Sequence, residues 1–230
     1  PVDVSEVLFA QNDLGEKHDG TRSFFCVGIQ KVFFENFKTL FSKFSLTPYF
    51  EIEVFSFARL VPKDDSHRIL LKVGRTHSYL IFLEGQIIQD VKMLEQGIND
   101  LHKMINKDLG LNFAEAETLI KSLPELEEAG KRSAAIVNEY KKELDKKIAK
   151  NIALYILEYE KRNGVEIEKV LISATDTKKG IQKSLQEEFD AELKIEYMGT
   201  EYFEQFEAEN FTILDLGRYA QCFGIARRVN

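Results

Sequence analysis

Gly74 lies between two apolar runs, RILLKV (68–73) and SYLIFLE (78–84), with Lys72, Arg75 and Ser78 close to it in sequence. A tight turn that gathers backbone N–H groups, a hydroxyl and cationic side chains around a glycine can cradle a phosphate. The same spacing also makes an ordinary β-turn, and the residues alone leave both readings open. Other chemistries have less to work with. The four histidines, His18, His67, His77 and His102, have no ligand spacing with one another or with the cysteines, which argues against a metal site. No nucleophile-elbow pattern surrounds a serine. Cys26 and Cys222 are far apart and outside any CxxC, so two reduced, buried thiols are expected rather than a bridge.

The elements that must position this turn can be read from hydrophobic periodicity. Residues 4–11 and 22–29 are expected as two strands joined by a polar, glycine-containing loop. The segment KVFFENFKTLFSKF then places Phe33, Phe37, Leu40, Phe41 and Phe44 at helical spacing. FEIEVFSFARLV predicts a short strand and a short helix before the break at Pro62, and three strands in a meander follow, turning at Gly74 and at Glu84-Gly85. From residue 96 the period becomes 3.6. Ile98, Leu101, Met104 and Ile105 form one stripe, closed by Gly110 as a C-cap. Asn112 with Glu115 three residues on is a capping box for a helix over 113–123. A long helix over about 129–162 carries Ile136, Tyr140, Leu144, Ile148, Ile152, Tyr155 and Tyr159 on one face and a solvated Lys/Glu mixture on the other. It stops at Asn163-Gly164. The strand EKVLISA, a helix marked by Ile181, Leu185 and Phe189, the strand ELKIEY and a closing helix around GRYAQCFGIARR complete the chain.

A meander, a helical block and then strand–helix–strand units predict an α/β protein with mixed sheets. The 230 residues allow one large domain or two small ones, and 44% hydrophobic content fits a folded chain. A net charge of −7 without a basic tract excludes nucleic acid as the expected partner. No apolar run approaches the roughly 20 residues that span a bilayer, and no signal-peptide pattern opens the chain, so a cytoplasmic protein is expected. The first residue is Pro1 rather than Met, which fits a processed or truncated N-terminus.

Several pieces in order carry a resemblance: VGIQKVFFENFKTLFSKFSLTPYFEIEVFSFARLV, RILLKVGRTHSYLIFLEGQII, QGINDLHKMINKDLGLNFAEAETLIK and CFGIARR. Together they resemble the PilM family of type IV pilus assembly proteins, within the actin-like ATPase superfamily. The resemblance implies an actin-like (ribonuclease H-like) fold of two domains, with a nucleotide between them and ATP in a structural or regulatory role. It implies a cytoplasmic scaffold, peripheral at the inner membrane, that binds the cytoplasmic tail of a membrane-anchored pilus or secretion assembly protein. On this template, 1–46 is a residual inserted subdomain and 47–66 with 219–230 is the remainder of an incomplete first domain. Residues 67–218 form the second domain, with a helical insertion at about 93–125.

Tested position by position, the nucleotide residues are eroded. A carboxylate is needed to hold Mg²⁺ or its water shell, and Lys72 stands where the family has Asp in the hairpin. Gly74 is kept, Ser78 replaces the usual Thr, and Arg75 and His77 replace small residues. In the loop after EKVLISA, Ala174 and Thr175 fall where the family has a glycine-rich turn near the adenosine. They read as a helix N-cap. The family's Lys after Ala-Glu falls at Ile120, and Lys121 is one position on, rotated by about 100° on a helix. The first phosphate hairpin of actin-like proteins has no counterpart before Pro1, and Asp215-Leu216-Gly217 imitates it only superficially. The expectation is therefore a non-catalytic scaffold with no cofactor and no metal, with partner contacts in 4–44 and a homo-oligomer left open. The alternative is an actin-like ATPase or small-molecule kinase that binds Mg-ATP at Lys72, Gly74, Arg75, Ser78, Ala174, Thr175 and Lys121.

Overall fold

The computed structural model describes residues 3–16, 20–45, 51–128, 130–174, 180–189 and 193–202. The chain divides into two compact units, Pro1–Glu53 and Val54–Asn230. Thr175, Asp215-Leu216-Gly217, Cys222 and the closing helix lie outside the described residues.

In the first unit, β1 (Val7–Glu16) and β2 (Arg22–Gln30) pair antiparallel, from Val7 opposite Gln30 to Glu16 opposite Arg22. Among the described residues they form a two-stranded sheet by themselves. Exposure alternates along β2, as expected for a ribbon with one face partly covered. The helix α1 (Lys31–Ser42) follows directly on β2 and contacts it. Cys26 is on the open face and exposed, which corrects the expectation of a buried thiol. A two-stranded sheet with one short helix has too little interior to bury it. None of the unit's described side chains is buried.

The second unit holds the core. Glu51 and Ile52 are in neither strand nor helix, and the expected short strand is replaced by α2 (Glu53–Ala58). The meander is β3 (His67–Val73), β4 (Ser78–Glu84) and β5 (Ile87–Leu94). Three helices follow, α3 (Ile98–Leu109), α4 (Phe113–Lys121) and α5 (Leu123–Glu128), the last of which falls where the sequence pattern left a connection between two helices. The long helix α6 (Arg132–Asn163) leads to β6 (Lys169–Ala174), α7 (Gly180–Glu188) and β7 (Lys194–Tyr197). The sheet order is β5-β4-β3-β6-β7, antiparallel through the meander and parallel from β3 to β6 to β7.

Alternation sends Ile69, Leu71, Leu80, Phe82, Val170, Ile172 and Ile195 to the face covered by α3 to α7, where they join one apolar cluster. Leu70, Lys72, Ile81 and Leu171 point the other way, toward the side of α2. On α6 the buried stripe includes Val137, Leu144, Ile148, Ile152, Ile156 and Tyr159, while the expected Ile136, Tyr140 and Tyr155 are only half-buried. Tyr159 stacks on Phe82, with ring centroids 4.2 Å apart.

Candidate functional site

The strands β3 and β4 pair as far as Val73 opposite Ser78, which leaves residues 74–77 as the loop. A Cβ on Gly74 would lie 2.3 Å from the His77 carbonyl oxygen, so the loop closes this tightly only over a glycine. The loop's carbonyls face the start of α3. The Ile98 N–H donates to Gly74 O at 3.0 Å and the Asn99 N–H to Arg75 O at 2.8 Å. Two of the helix's otherwise orphaned N–H groups are thereby satisfied by the hairpin backbone. Gly97 is needed for the same contact, since a Cβ there would meet Arg75 O at 2.5 Å. Its own N–H donates to Asp100 Oδ2 at 3.0 Å. Burial pulls the Asp100 carboxyl upward, but hydrogen bonds from Lys103 and Gly97 outweigh it and hold the group below its ordinary value.

Ser78 is buried in the same junction and its hydroxyl donates to Gln96 O at 2.8 Å. Gln96 in turn accepts from Asn151 of α6 at 3.0 Å. Arg75 and Lys121 meet over a residue that the sequence reading passed by. The Arg75 guanidinium lies 3.1 Å, and the Lys121 ammonium 3.0 Å, from the same carboxylate oxygen, Glu117 Oε1. The hydrogen bond and charge of Lys121, helped by Arg75, keep the Glu117 carboxyl low. The available signal was the spacing of Glu117 four residues before Lys121 on a helix.

Lys72 belongs to a different environment. It projects from the opposite face of the sheet, with its Nζ 5.4 Å from the centre of the Phe57 ring on α2. Burial lowers its pKa. In the parallel ladder it is level with Ser173, which is 3% exposed and whose Oγ has no hydrogen-bond partner among the described residues. Ala174 closes β6 opposite Val73. The predicted residues therefore split: Gly74, Arg75, Ser78 and Lys121 gather at the hairpin–α3–α4 junction, and Lys72 sits with Ser173 across the sheet.

This arrangement can hold an anion more readily than a cation. Mg²⁺ takes hard oxygen ligands, usually carboxylates. The carboxylates at the junction are engaged within the protein, Asp100 by the Gly97 N–H and Lys103, and Glu117 by two cations. Among the described residues, this junction offers Mg²⁺ no unengaged carboxylate. Among the described residues, no group of three or more His, Cys, Asp or Glu could hold a metal ion.

No protein-family model and no curated protein matches the sequence. Solved structures do. The chain aligns over 98% of its length with a chain of the PilM–PilN type IV pilus biogenesis complex, at a TM-score of 0.70 and 17% identity. An archaeal actin homolog aligns over 78% of the chain, at a TM-score of 0.51 and 13% identity. The fold is actin-like. The likeness to the pilus-complex chain takes in the strand–strand–helix unit as well as the five-stranded sheet, because it leaves out only 2% of the residues. The chain spans 67% of the pilus-complex chain and 56% of the archaeal actin-like one.

Proposed function

We propose that this actin-like chain is a non-catalytic scaffold of a type IV pilus or related secretion-type assembly platform, binding the cytoplasmic tail of a membrane-anchored partner. The observation that carries the reading is the likeness, over nearly the whole chain, to a chain of a PilM–PilN complex. The hairpin supports the non-catalytic part. Its serine hydroxyl and two of its carbonyls are engaged within the protein, and its position for a metal-holding carboxylate is a lysine. The contact region is 4–44. There, among the described residues, β1 and β2 pair only with each other, so each presents an outer edge to which an extended tail can add as a further strand. Among the described residues no helix is long and apolar enough to cross a membrane. On this reading the protein sits in the cytoplasm against the inner membrane through its partner. A pull-down from solubilised membranes with the intact protein should enrich a single-span assembly protein, and a deletion of 4–16 should lose it. Recovery of no such protein would count against the scaffold.

One observation favours a second reading, a nucleotide-binding ATPase or kinase. The buried Ser173 hydroxyl beside Lys72, near the ends of β3 and β6, is an unmet donor where a phosphate oxygen could be received. This reading predicts saturable heat on titration with Mg-ATP, lost in Gly74→Val. The scaffold reading predicts none.

A further inference from the structure

In the second unit a groove of about 390 Å³ lies between the end of α6, residues 166–168, and the residues that flank α7 and β7. Its size is at the low end of the roughly 300–1,000 Å³ of binding pockets. Leu157, Phe189 and Leu193 give it an apolar wall. Leu157 is 57% exposed, and Leu154, one turn earlier on the same side of α6, is 66% exposed. The polar lining carries one sign of charge. Glu160, Glu166 and Glu168 stand around the apolar wall, and no lysine or arginine is among the lining residues. The lysines next to them in sequence are engaged or turned elsewhere. Lys169 and Lys194 both pair with Glu196, each at 3.0 Å, and Lys161 is about 100° round α6 from Glu160. Glu160 is held by the Ile167 N–H, which donates to its Oε1 at 2.9 Å. Glu166 and Glu168 are exposed, and their carboxylates make no ion pair among the described residues. Three carboxylates around one hollow repel one another, and a cation placed there relieves the repulsion. The same charges turn away anionic membrane surfaces and nucleic acid.

We propose that this groove docks a cationic peptide segment of a protein partner, in which Lys or Arg residues flank one large apolar side chain. The apolar side chain seats against Leu157, Phe189 and Leu193, and Leu154 meets the segment as it leaves along α6. The flanking cations reach Glu160, Glu166 and Glu168. Arginine suits the two exposed glutamates, since its planar fork meets a carboxylate through two parallel N–H···O bonds. Rim charges of this kind govern encounter and choice of partner more than affinity, and the apolar seat is small. The complex is therefore transient, and it weakens as salt screens the glutamates. The groove belongs to the second unit, so its role stands whether or not the scaffold reading holds.

Fluorescence anisotropy of a labelled peptide, Lys-Arg-Ser-Leu-Phe-Ser-Arg-Lys, titrated with the intact protein to about 1 mM, tests it. Saturable binding is expected. Glu166→Lys combined with Glu168→Lys should weaken it by about tenfold or more, and Leu157→Ser, a change at an exposed position, by about fivefold. Glu139→Lys combined with Glu143→Lys makes the same change in net charge about 25 Å or more away along α6, and should bind as wild type. The peptide with serine in place of Leu-Phe, and the one with glutamate in place of every Lys and Arg, should each bind about tenfold or more weakly than the original. Circular dichroism checks that the variants are folded. If the lysine pair unfolds the protein, Glu166→Gln with Glu168→Gln takes its place. No saturable binding overturns the inference, as would follow if another part of this chain or a second copy filled the groove. So does binding that the groove variants leave unchanged, that the distant pair weakens equally, or that the serine peptide matches.

Discussion

At the scale of single residues, the hairpin glycine has a task that is separate from any ligand. Gly74→Ala places a methyl group on the His77 carbonyl, a backbone atom that has little room to yield. Overpacking of this kind costs about 1–3 kcal/mol, so urea unfolding should show a loss in that range with no nucleotide present. An unchanged midpoint would mean that the loop opens without cost. Tyr159 gives a second test at this scale. Its burial, then the nearby Asp90 carboxylate, push the phenol up to about 12 from an ordinary 10.0. The folded state thus favours the protonated ring. The stabilisation is complete below the unfolded value and is lost as pH rises from 10 toward 12. Tyr159→Phe should flatten the alkaline limb of a stability–pH profile over this interval, and an identical limb in wild type and variant would refute the assignment. Lys72 has no comparable clarity from sequence. Its identity was legible, but its place on the face opposite Ser78 followed only from the strand register.

At the scale of elements, α4 carries the most local design. Asn112 Oδ1 accepts from the Glu115 N–H at 3.1 Å, and Glu115 Oε2 accepts from the Asn112 N–H at 2.7 Å. Asn112→Ala should cost about 1 kcal/mol in denaturant unfolding. It should also loosen the helix that holds Glu117, seen as faster exchange of the first α4 amides. This cap was readable in advance, as were Gly110 and Gly164, which end α3 and α6 in left-handed conformations. Such signals lie within a few residues of the element they shape. The end of α4 at Lys121 and the separate α5 were not readable, because 113–128 carries apolar residues at helical spacing on both sides of the break. The short strand expected near residue 52 also failed, since α2 has its own apolar face, Val54, Phe57 and Ala58, turned into the core. The junction of the hairpin with α3 was beyond reach for a different reason. Its bonds join residues more than 20 apart in sequence, Gly74 to Ile98 and Arg75 to Asn99.

At the scale of the whole molecule, the two units differ in how they can be stable. The sheet of the second unit is buried on the helix-covered side, while the described part of the first has no buried side chain. Hydrogen exchange of the intact protein should therefore divide. Amides of β1, β2 and α1 are expected to exchange through local opening, and those of β3, β4 and β6 only through global unfolding. Equal protection in the two groups would show that the first unit gains its stability from something other than its own interior. The strand order has one more consequence, in time rather than in space. The meander β3-β4-β5 is complete once residue 94 is made, but β3 stays an open edge until β6 begins at Lys169. At ordinary rates of synthesis of about 5–20 residues per second, that edge waits about 4–15 s on the ribosome with Ile69, Leu70 and Leu71 uncovered. A newborn chain of this protein thus offers an apolar strand edge of the kind chaperones shield until β6 arrives.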